Sequence, residues 1–484
     1  MSITIVGLGP GNGRTLTLEA WQLLSAAETV YLRTARHPAV ADLPDGVRLV
    51  SFDDVYDTAV SFEAVYSQIV DTLLAHGRDQ DILYAVPGHP FVGESTVTRL
   101  AAAANEQGIV MRIVPGLSFV EPSLTAVRVD ALDGLQIFDA IELTHFHYPP
   151  LNPDVPVLLG QVYSRMLASE LKMVLAAVYP PQHPVHLIHA AGTVVEQVES
   201  IPLYAIDRSP HIDHLSSLYV PALPAASSLM SLAETVAHLR SPEGCPWDQE
   251  QTPQSMRTGF LEEACEVLDA LDADDVAGLQ EELGDLLYHV LMQVQMAAEV
   301  EDFTLTDVIA GIETKLKRRH PHVWGDWQVD DSAHVVRNWE MLKKQEKAEK
   351  PASALDGVPV SLPALARSQK IQHKAAQVGF DWPDISGVYA KLDEEMAELK
   401  AAADADQRAE ELGDLLFVIV NLARWLAVDA ESCLREATGK FSRRFQLTEQ
   451  LARQRGLHMP EMSLAALDAL WEEVKEMGDV MRDA

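Results

Sequence analysis

The sequence predicts a multidomain chain, an α/β domain followed by two all-α helical bundle repeats. Three observations carry that expectation. Short apolar runs end in Pro/Gly loops and alternate with helical patterns up to about residue 222, an acidic helical motif occurs twice in the remainder, and a Pro/Ala/Ser-rich stretch separates the two halves.

Length and charge narrow the function classes. The chain has 484 residues, room for roughly two to four domains. Its formal net charge of −35 divides into 11 basic against 24 acidic residues up to Ala222 and 26 against 48 thereafter. Neither part is basic, so no nucleic-acid partner is expected. An acidic chain still handles nucleotides where metal ions and a few local Lys and Arg residues meet the phosphates. Cys245, Cys265 and Cys433 form no CxxC motif and no disulfide framework, which fits a cytoplasmic location. The apolar run at 3–6 meets Gly7 and lacks a charged segment before it, so no secretory signal is expected. No apolar run approaches the ~18 residues that span a bilayer, so no membrane partner is expected.

In chain order, residues 3–6 read as a buried strand that ends at Gly7-Leu8-Gly9-Pro10-Gly11. A helix over 15–27 follows, with Leu16, Ala20, Leu23, Leu24 and Ala27 at helical spacing. A dinucleotide fingerprint needs glycine at position 12, where Asn12 stands, and Pro10 interrupts the approach; the Rossmann reading is rejected. Glycine in such a loop lets backbone approach a ligand or take positive φ. A tight turn without a ligand is the competing reading. Residues 82–86 form a second strand that runs into Pro87-Gly88-His89-Pro90, ahead of a helix from near Ser95, and 110–114 form a third that ends in Pro115-Gly116. Ligands gather outside the carboxyl ends of strands in open α/β sheets. A strand at 155–159, a helix at 164–177 and a strand at 185–189 continue the layout. His145, His147 and His189 lack metal-ligand spacing and are not taken as a metal site.

The segments GLGPG (7–11), YAVPGHP (84–90), VPGLS (114–118) and IPLYAIDR (201–208) resemble the tetrapyrrole (corrin/porphyrin) methylase family, its YabN-like branch above all. The resemblance covers roughly 1–222. It implies two α/β lobes with S-adenosylmethionine in the cleft, and it would set Gly7, Gly9, Gly11, Pro87, Gly88, His89, Pro115 and Gly116 beside that cofactor. His89 stands where many members carry Asp, as is typical of the YabN-like branch, so the resemblance names no methyl acceptor. An active methyltransferase on a tetrapyrrole-like or other small acceptor and a non-catalytic binding module are both alternatives for this domain.

The stretch 221–228 (PALPAASS) reads as a linker. After it, Leu229, Leu232, Val236 and Leu239 give a helical stripe, and 242–248 (PEGCPWD) is turn-rich. Then come two acidic helices, over 261–271 and 281–291. Residues three apart share a helix face, so Glu263 pairs with Glu266, and Glu282 with Asp285. Leu261, Ala264, Leu268 and Leu271, with Leu283, Leu286, Leu287 and Val290, form the apolar pattern of a packing seam. Clustered carboxylates beside such a seam repel one another and lose hydration unless cations join them, and Mg²⁺ is the first candidate because it shares its shell with phosphates. For one isolated EExxE a solvated acidic face is the default.

Repetition changes that balance. EELGDLL at 281–287 returns at 410–416, and Glu394, Glu395 and Glu398 stand where Glu262, Glu263 and Glu266 stood. Lys315, Arg318 and Arg319 correspond to Lys440, Arg443 and Arg444, and Trp339 and Lys343 to Trp471 and Lys475. The second metal set is therefore Glu395, Glu398, Glu411 and Asp414. Gly284 and Gly413 are mid-helix glycines, each costing about 1 kcal/mol against alanine, and close helix approach is the expected compensation. His320 and His322 read as a turn, and both tryptophans as core anchors.

CPWDQEQT, LEEACEVLDAL, EELGDLL and KLKRRHPHVW, followed by QKIQHKAAQVGFDW at 369–382, resemble MazG-type nucleoside triphosphate pyrophosphohydrolases. The domains expected are thus 1–222, 229–345 and 364–484, with a charged, proline-bearing segment between the repeats. The resemblance implies hydrolysis of nucleoside triphosphates to monophosphate and pyrophosphate, with Mg²⁺ as cofactor and a homodimer as the assembly. The three basic residues of each repeat are candidates for gripping phosphate oxygens. Asn421 lies two turns after Asp414, where the first repeat has Met292, and an amide is the better partner for phosphate. That difference makes the second repeat the expected main hydrolase.

Overall fold

The computed structural model describes residues 2–59, 61–346 and 353–482. It falls into two compact units, Met1–Gln251 and Thr252–Ala484. Part of the charged segment expected between the repeats, 347–352, lies outside the described residues.

The first unit holds two five-stranded sheets. The first contains β1 (Ser2–Gly7), β2 (Thr29–Leu32), β3 (Arg48–Ser51), β4 (Ile82–Val86) and β5 (Val110–Val114), in the order β3-β2-β4-β1-β5. All its pairings are parallel. Every residue of β4 is buried, because apolar layers cover both faces: Ile3, Ile5 and Tyr84 with Ile69, Leu73 and Leu100 on one, Val6 and Ala85 with Leu24 and Val30 on the other. A parallel sheet buried on both faces reads as continuous apolar runs, which is why β1 and β4 stand out in the sequence. The helix expected over 15–27 begins later, at Leu18–Ala26, because the Thr17 side chain accepts from Ala20 N and caps it; a short 3₁₀ turn, Gly13–Thr15, precedes it.

The second sheet contains β6 (Gln136–Asp139), β7 (Val157–Gly160), β8 (Pro184–His189), β9 (Gln197–Pro202) and β10 (Ser216–Val220), in the order β6-β7-β10-β8-β9. Only β6–β7 is parallel; the other pairings are antiparallel. The amphipathic helix Arg165–Leu175 buries Leu167, Ala168, Leu171 and Leu175 against this sheet, and Ser164 caps it.

The stretch 221–228 carries no helix or strand, yet it is not free. Asp154 accepts hydrogen bonds from Ser227 N at 2.7 Å, from Ser228 Oγ at 2.6 Å and from Ser231 Oγ. Ser228 in turn caps the helix Leu229–Arg240. That helix and the short Pro246–Glu250 helix, whose Asp248 carbonyl accepts from Arg240, lie within the first compact unit, which ends at Gln251.

The described part of the second unit is all helical. Arg257–Asp272, Val276–Glu299, Leu305–Arg319, Pro321–Trp324 and Ser332–Glu346 make the first repeat; Ala364–Gln377, Ile385–Ala401, Ala405–Trp425, Ala430–Gln454 and Leu464–Arg482 make the second. In each repeat the two acidic helices pack as a hairpin. Two expectations are corrected here. The apolar seam is largely open within one chain, with Leu261 58% and Leu271 51% exposed, because the hairpin supplies no further layer to cover it. Gly284 and Gly413 compensate for nothing by close approach: a Cβ at either would meet nothing within 4 Å. No helix among the described residues is long and apolar enough to cross a membrane.

Candidate active site

Each acidic hairpin brings three carboxylates together. Glu263 and Glu266 on one helix meet Glu282 on the next, with one oxygen from each within 4.8 Å of the others, and Glu395, Glu411 and Asp414 do the same in the second repeat. Helical spacing sets the first pair and the hairpin turn, capped by Asp275 or Asp404, sets the approach of the second helix. Asp285 and Glu398 lie outside the tight triads but act on them through space. Partial desolvation and then Glu266 and Asp285 push the Glu263 carboxyl up, and desolvation followed by Glu266, Glu281 and Asp285 does the same to Glu282. In the second repeat desolvation, Glu398, Glu395 and Asp414 raise Glu411. Groups that resist losing their protons for want of a counter-charge are groups that a cation would stabilise. Glu395 adds a sharper sign: it is 3% exposed and its Oε2 is buried without a hydrogen-bond partner.

The basic residues are placed less simply. Lys440 and Arg443 line an open cleft of about 670 Å³ together with Asp269 and Asp272, which belong to the first repeat, and an Arg435–Asp272 ion pair joins the two repeats there. Arg444 follows on the same helix. Lys315, Arg318 and Arg319 lie on Leu305–Arg319, and the Arg319 guanidinium sits 5.9 Å from the centre of the Trp339 ring. Lys343 Nζ lies 3.6 Å from the same ring, so Trp339 is a cation platform as well as a packing residue. Trp471 packs on Phe441, with ring centres 5.1 Å apart. Asn421 is buried, and its Oδ1 accepts from Arg424 Nη2 at 2.9 Å while Arg424 also donates to Asp381.

In the first unit the three Pro/Gly strand ends meet as one construction. Gly9 and Gly88 exchange backbone hydrogen bonds, Gly9 N to Gly88 O at 3.2 Å and Gly88 N to Gly9 O at 3.0 Å, and both take positive φ. A Cβ on Gly7 would lie 2.5 Å from Gly88 O and 2.6 Å from Gly116 N, a distance no side chain tolerates. Pro115 leads into that packed Gly116 from the end of β5. Gly11 approaches Gly192, and His89 Nδ1 accepts from Phe91 N at 3.1 Å. Beside these loops lies a cavity of about 480 Å³, lined by Pro87 and Gly88 but also by Arg36, His37, Asp53 and Ser216. Of the eight residues expected beside a cofactor, Pro87 and Gly88 line this cavity; the other glycines hold the backbone that shapes it.

Sequence reading missed two groups. Arg36, His37 and Asp53 follow β2 and β3, strands too short to announce the loops after them. Lys391, whose Nζ lies 2.7 Å from Glu395 Oε1, stands where the first repeat has Gly259, and aligning the repeats on their acidic motifs exposes that exchange.

Comparison with known proteins agrees with this division. Residues 2–207 match the tetrapyrrole (corrin/porphyrin) methylases, and 251–324 and 387–446 match the MazG nucleotide pyrophosphohydrolase domain. The chain is 39% identical to the uncharacterized protein YabN of Bacillus subtilis, over 98% of both chains. It is 45% identical to the nucleoside triphosphate pyrophosphohydrolase/pyrophosphatase MazG of Thermotoga maritima, over 50% of this chain and 94% of that one. With the nucleoside triphosphate pyrophosphohydrolase of Escherichia coli K12 the identity is 46%, over 50% and 95%. The chain therefore belongs to the YabN-like family, in which a tetrapyrrole methylase domain is fused to MazG domains.

Proposed function

We propose that this protein hydrolyses nucleoside triphosphates to nucleoside monophosphate and pyrophosphate in its MazG repeats. The observation that carries the reading is the double gathering of three carboxylates, once around Glu263, Glu266 and Glu282 and once around Glu395, Glu411 and Asp414. Their mutual repulsion and the orphaned oxygen of Glu395 fit a hard divalent cation, and Mg²⁺ is the proposed cofactor. A bound Mg²⁺ supplies charge neutralisation and a more acidic coordinated water at such a site. The chain's own residues do the rest. Asp285 and Glu398 deepen the negative field that draws the cation in, and a carboxylate left outside the metal shell can orient or deprotonate the attacking water. Lys391 sets a positive charge beside the second cluster, where triphosphate oxygens would lie. The second repeat is the proposed main hydrolase. Lys440, Arg443 and Arg444, with Lys315, Arg318 and Arg319, are further candidates to grip phosphates.

The cavity of the first unit is the proposed S-adenosylmethionine site. Its volume suits a ligand of that size, and Pro87, Gly88 and Gly93 let backbone form part of its lining. A methylated product would make the domain a methyltransferase; binding alone would make it a sensor or scaffold. The proposed domains are 1–222, 229–345 and 364–484. The open leucine faces of the acidic hairpins support a homodimer, and three unpaired cysteines suit a reducing cytoplasm.

Incubating the pure protein with each nucleoside triphosphate and Mg²⁺ and identifying the products tests the main reading. Monophosphate with pyrophosphate supports it; diphosphate with orthophosphate rules it out.

A further inference from the structure

The two carboxylate clusters differ in one charge. In the second repeat, Lys391 Nζ lies 2.7 Å from Glu395 Oε1 and 3.0 Å from Glu394 Oε1. Glu395 is almost fully buried while the Lys391 side chain is 34% exposed, and the second carboxylate oxygen of Glu395 has no hydrogen-bond partner. Lys391 is one helical turn before Glu395 on the same helix, which keeps the ammonium within reach of that carboxylate.

Among the described residues, no lysine or arginine ion pair with Glu263 is found in the first repeat. Gly259 stands at the position of Lys391, and the His289 ring fills the space over it: a Cβ on Gly259 would lie 2.8 Å from His289 Cε1. His289 Nε2 is 3.7 Å from Glu263 Oε1, beyond hydrogen-bond reach. At the position of His289 the second repeat has Val418. The repeats have thus exchanged Gly259 and His289 for Lys391 and Val418 around otherwise matching acids.

We propose that Lys391 is a tethered cation that competes with divalent metal for Glu395, so that the two repeats load metal with unequal affinity, the first more tightly than the second. This rests on the reading of both clusters as metal sites. A metal that takes Glu395 Oε1 as a ligand must first displace the ammonium, and its apparent affinity falls by the fraction of time the carboxylate is free. An ammonium held against a buried carboxylate leaves that fraction small. At Glu263, 22% exposed at its side chain and without a lysine, the metal meets no such rival.

Mn²⁺ titration of the full chain without nucleotide, followed by calorimetry and by the electron paramagnetic resonance of free Mn²⁺, tests this. The wild type should show two classes of site that differ about tenfold or more in affinity. Lys391→Met, which keeps helix propensity, should tighten the weaker class about tenfold and leave the tighter one alone. Lys391→Arg should restore the weak class, since it keeps the charge. The joint change Gly259→Lys with His289→Val should weaken the tight class. Glu282→Gln with Asp285→Asn should remove the tight class only. A wild type with one class of equal sites, or a weak class that Lys391→Met leaves unchanged or weakens, overturns the proposal. Absence of any Mn²⁺ binding would remove the metal reading of the clusters as well, whereas binding that ignores Lys391 removes this inference alone.

Discussion

Ser228 donates its hydroxyl hydrogen to Asp154 Oδ2 at 2.6 Å, and through that bond the chain leaving the methylase-like domain is fastened to its second lobe. Hydrogen bonds from Ser228 and Ser231 hold the Asp154 carboxyl down at about 2. A carboxylate with a depressed pKa contributes stability that is present above its unfolded value, near 3.8, and is lost as pH falls through the folded one. The fastening should therefore hold at neutral pH and fail between about pH 4 and pH 2. Asp154→Ala should lower stability by about 1 kcal/mol and speed proteolysis at 221–228 at pH 7. Limited proteolysis with mass spectrometry checks it, and an unchanged cleavage rate would contradict it.

Gly9 takes φ of +73°, and a Cβ there would lie 2.7 Å from Thr15 Oγ1. Gly9→Val should therefore distort the loop that Gly88 pairs with and abolish S-adenosylmethionine binding measured by calorimetry. Wild-type affinity in this variant, or no affinity in the unaltered protein, would remove the cofactor assignment.

Leu261 and Leu283, 58% and 49% exposed, flank the first acidic cluster on the open face of the hairpin. If a second copy covers that face, Leu261→Glu with Leu283→Glu should convert a dimer to a monomer of 53.2 kDa in light scattering. A wild type that is already monomeric at micromolar concentration would contradict the dimer.

The repeats should not contribute equally to turnover. Glu411→Gln with Asp414→Asn should lower kcat/KM by about a hundredfold or more, since metal ligands are lost where Lys391 also stands. Glu282→Gln with Asp285→Asn should cost less. Circular dichroism must show both variants folded, and a reversed order of the two losses would assign the main activity to the first repeat.

What the sequence discloses depends on how local the signal is. β1, β4 and β5 are legible because apolar runs end abruptly in Pro/Gly loops, and the acidic hairpins because their pattern occurs twice. β2, β3, β9 and β10 are short or polar, and only pairing to a neighbour makes TVYL or QVESIP a strand. Long-range anchoring is equally silent: Asp154 precedes Ser227 by 73 residues, and nothing near PALPAASS shows that it is held. The leucine seam illustrates the opposite failure, since helical periodicity marks an apolar face without saying whether the same chain covers it. Comparing the repeats points to Asn421, but it does not show that Arg424, three residues on, donates to its side-chain oxygen. The same comparison exposes Lys391, in the turn before Glu395, as the residue paired with that acid.

The most direct test of the account is hydrolysis of a nucleoside triphosphate in ¹⁸O-labelled water with Mg²⁺, read by mass spectrometry, for the wild type and for a variant that combines Glu282→Gln, Asp285→Asn, Glu411→Gln and Asp414→Asn. Attack at the α-phosphorus predicts label in the monophosphate, unlabelled pyrophosphate, and no turnover in the folded combined variant. Label in pyrophosphate or orthophosphate, or undiminished turnover after all four substitutions, would contradict it.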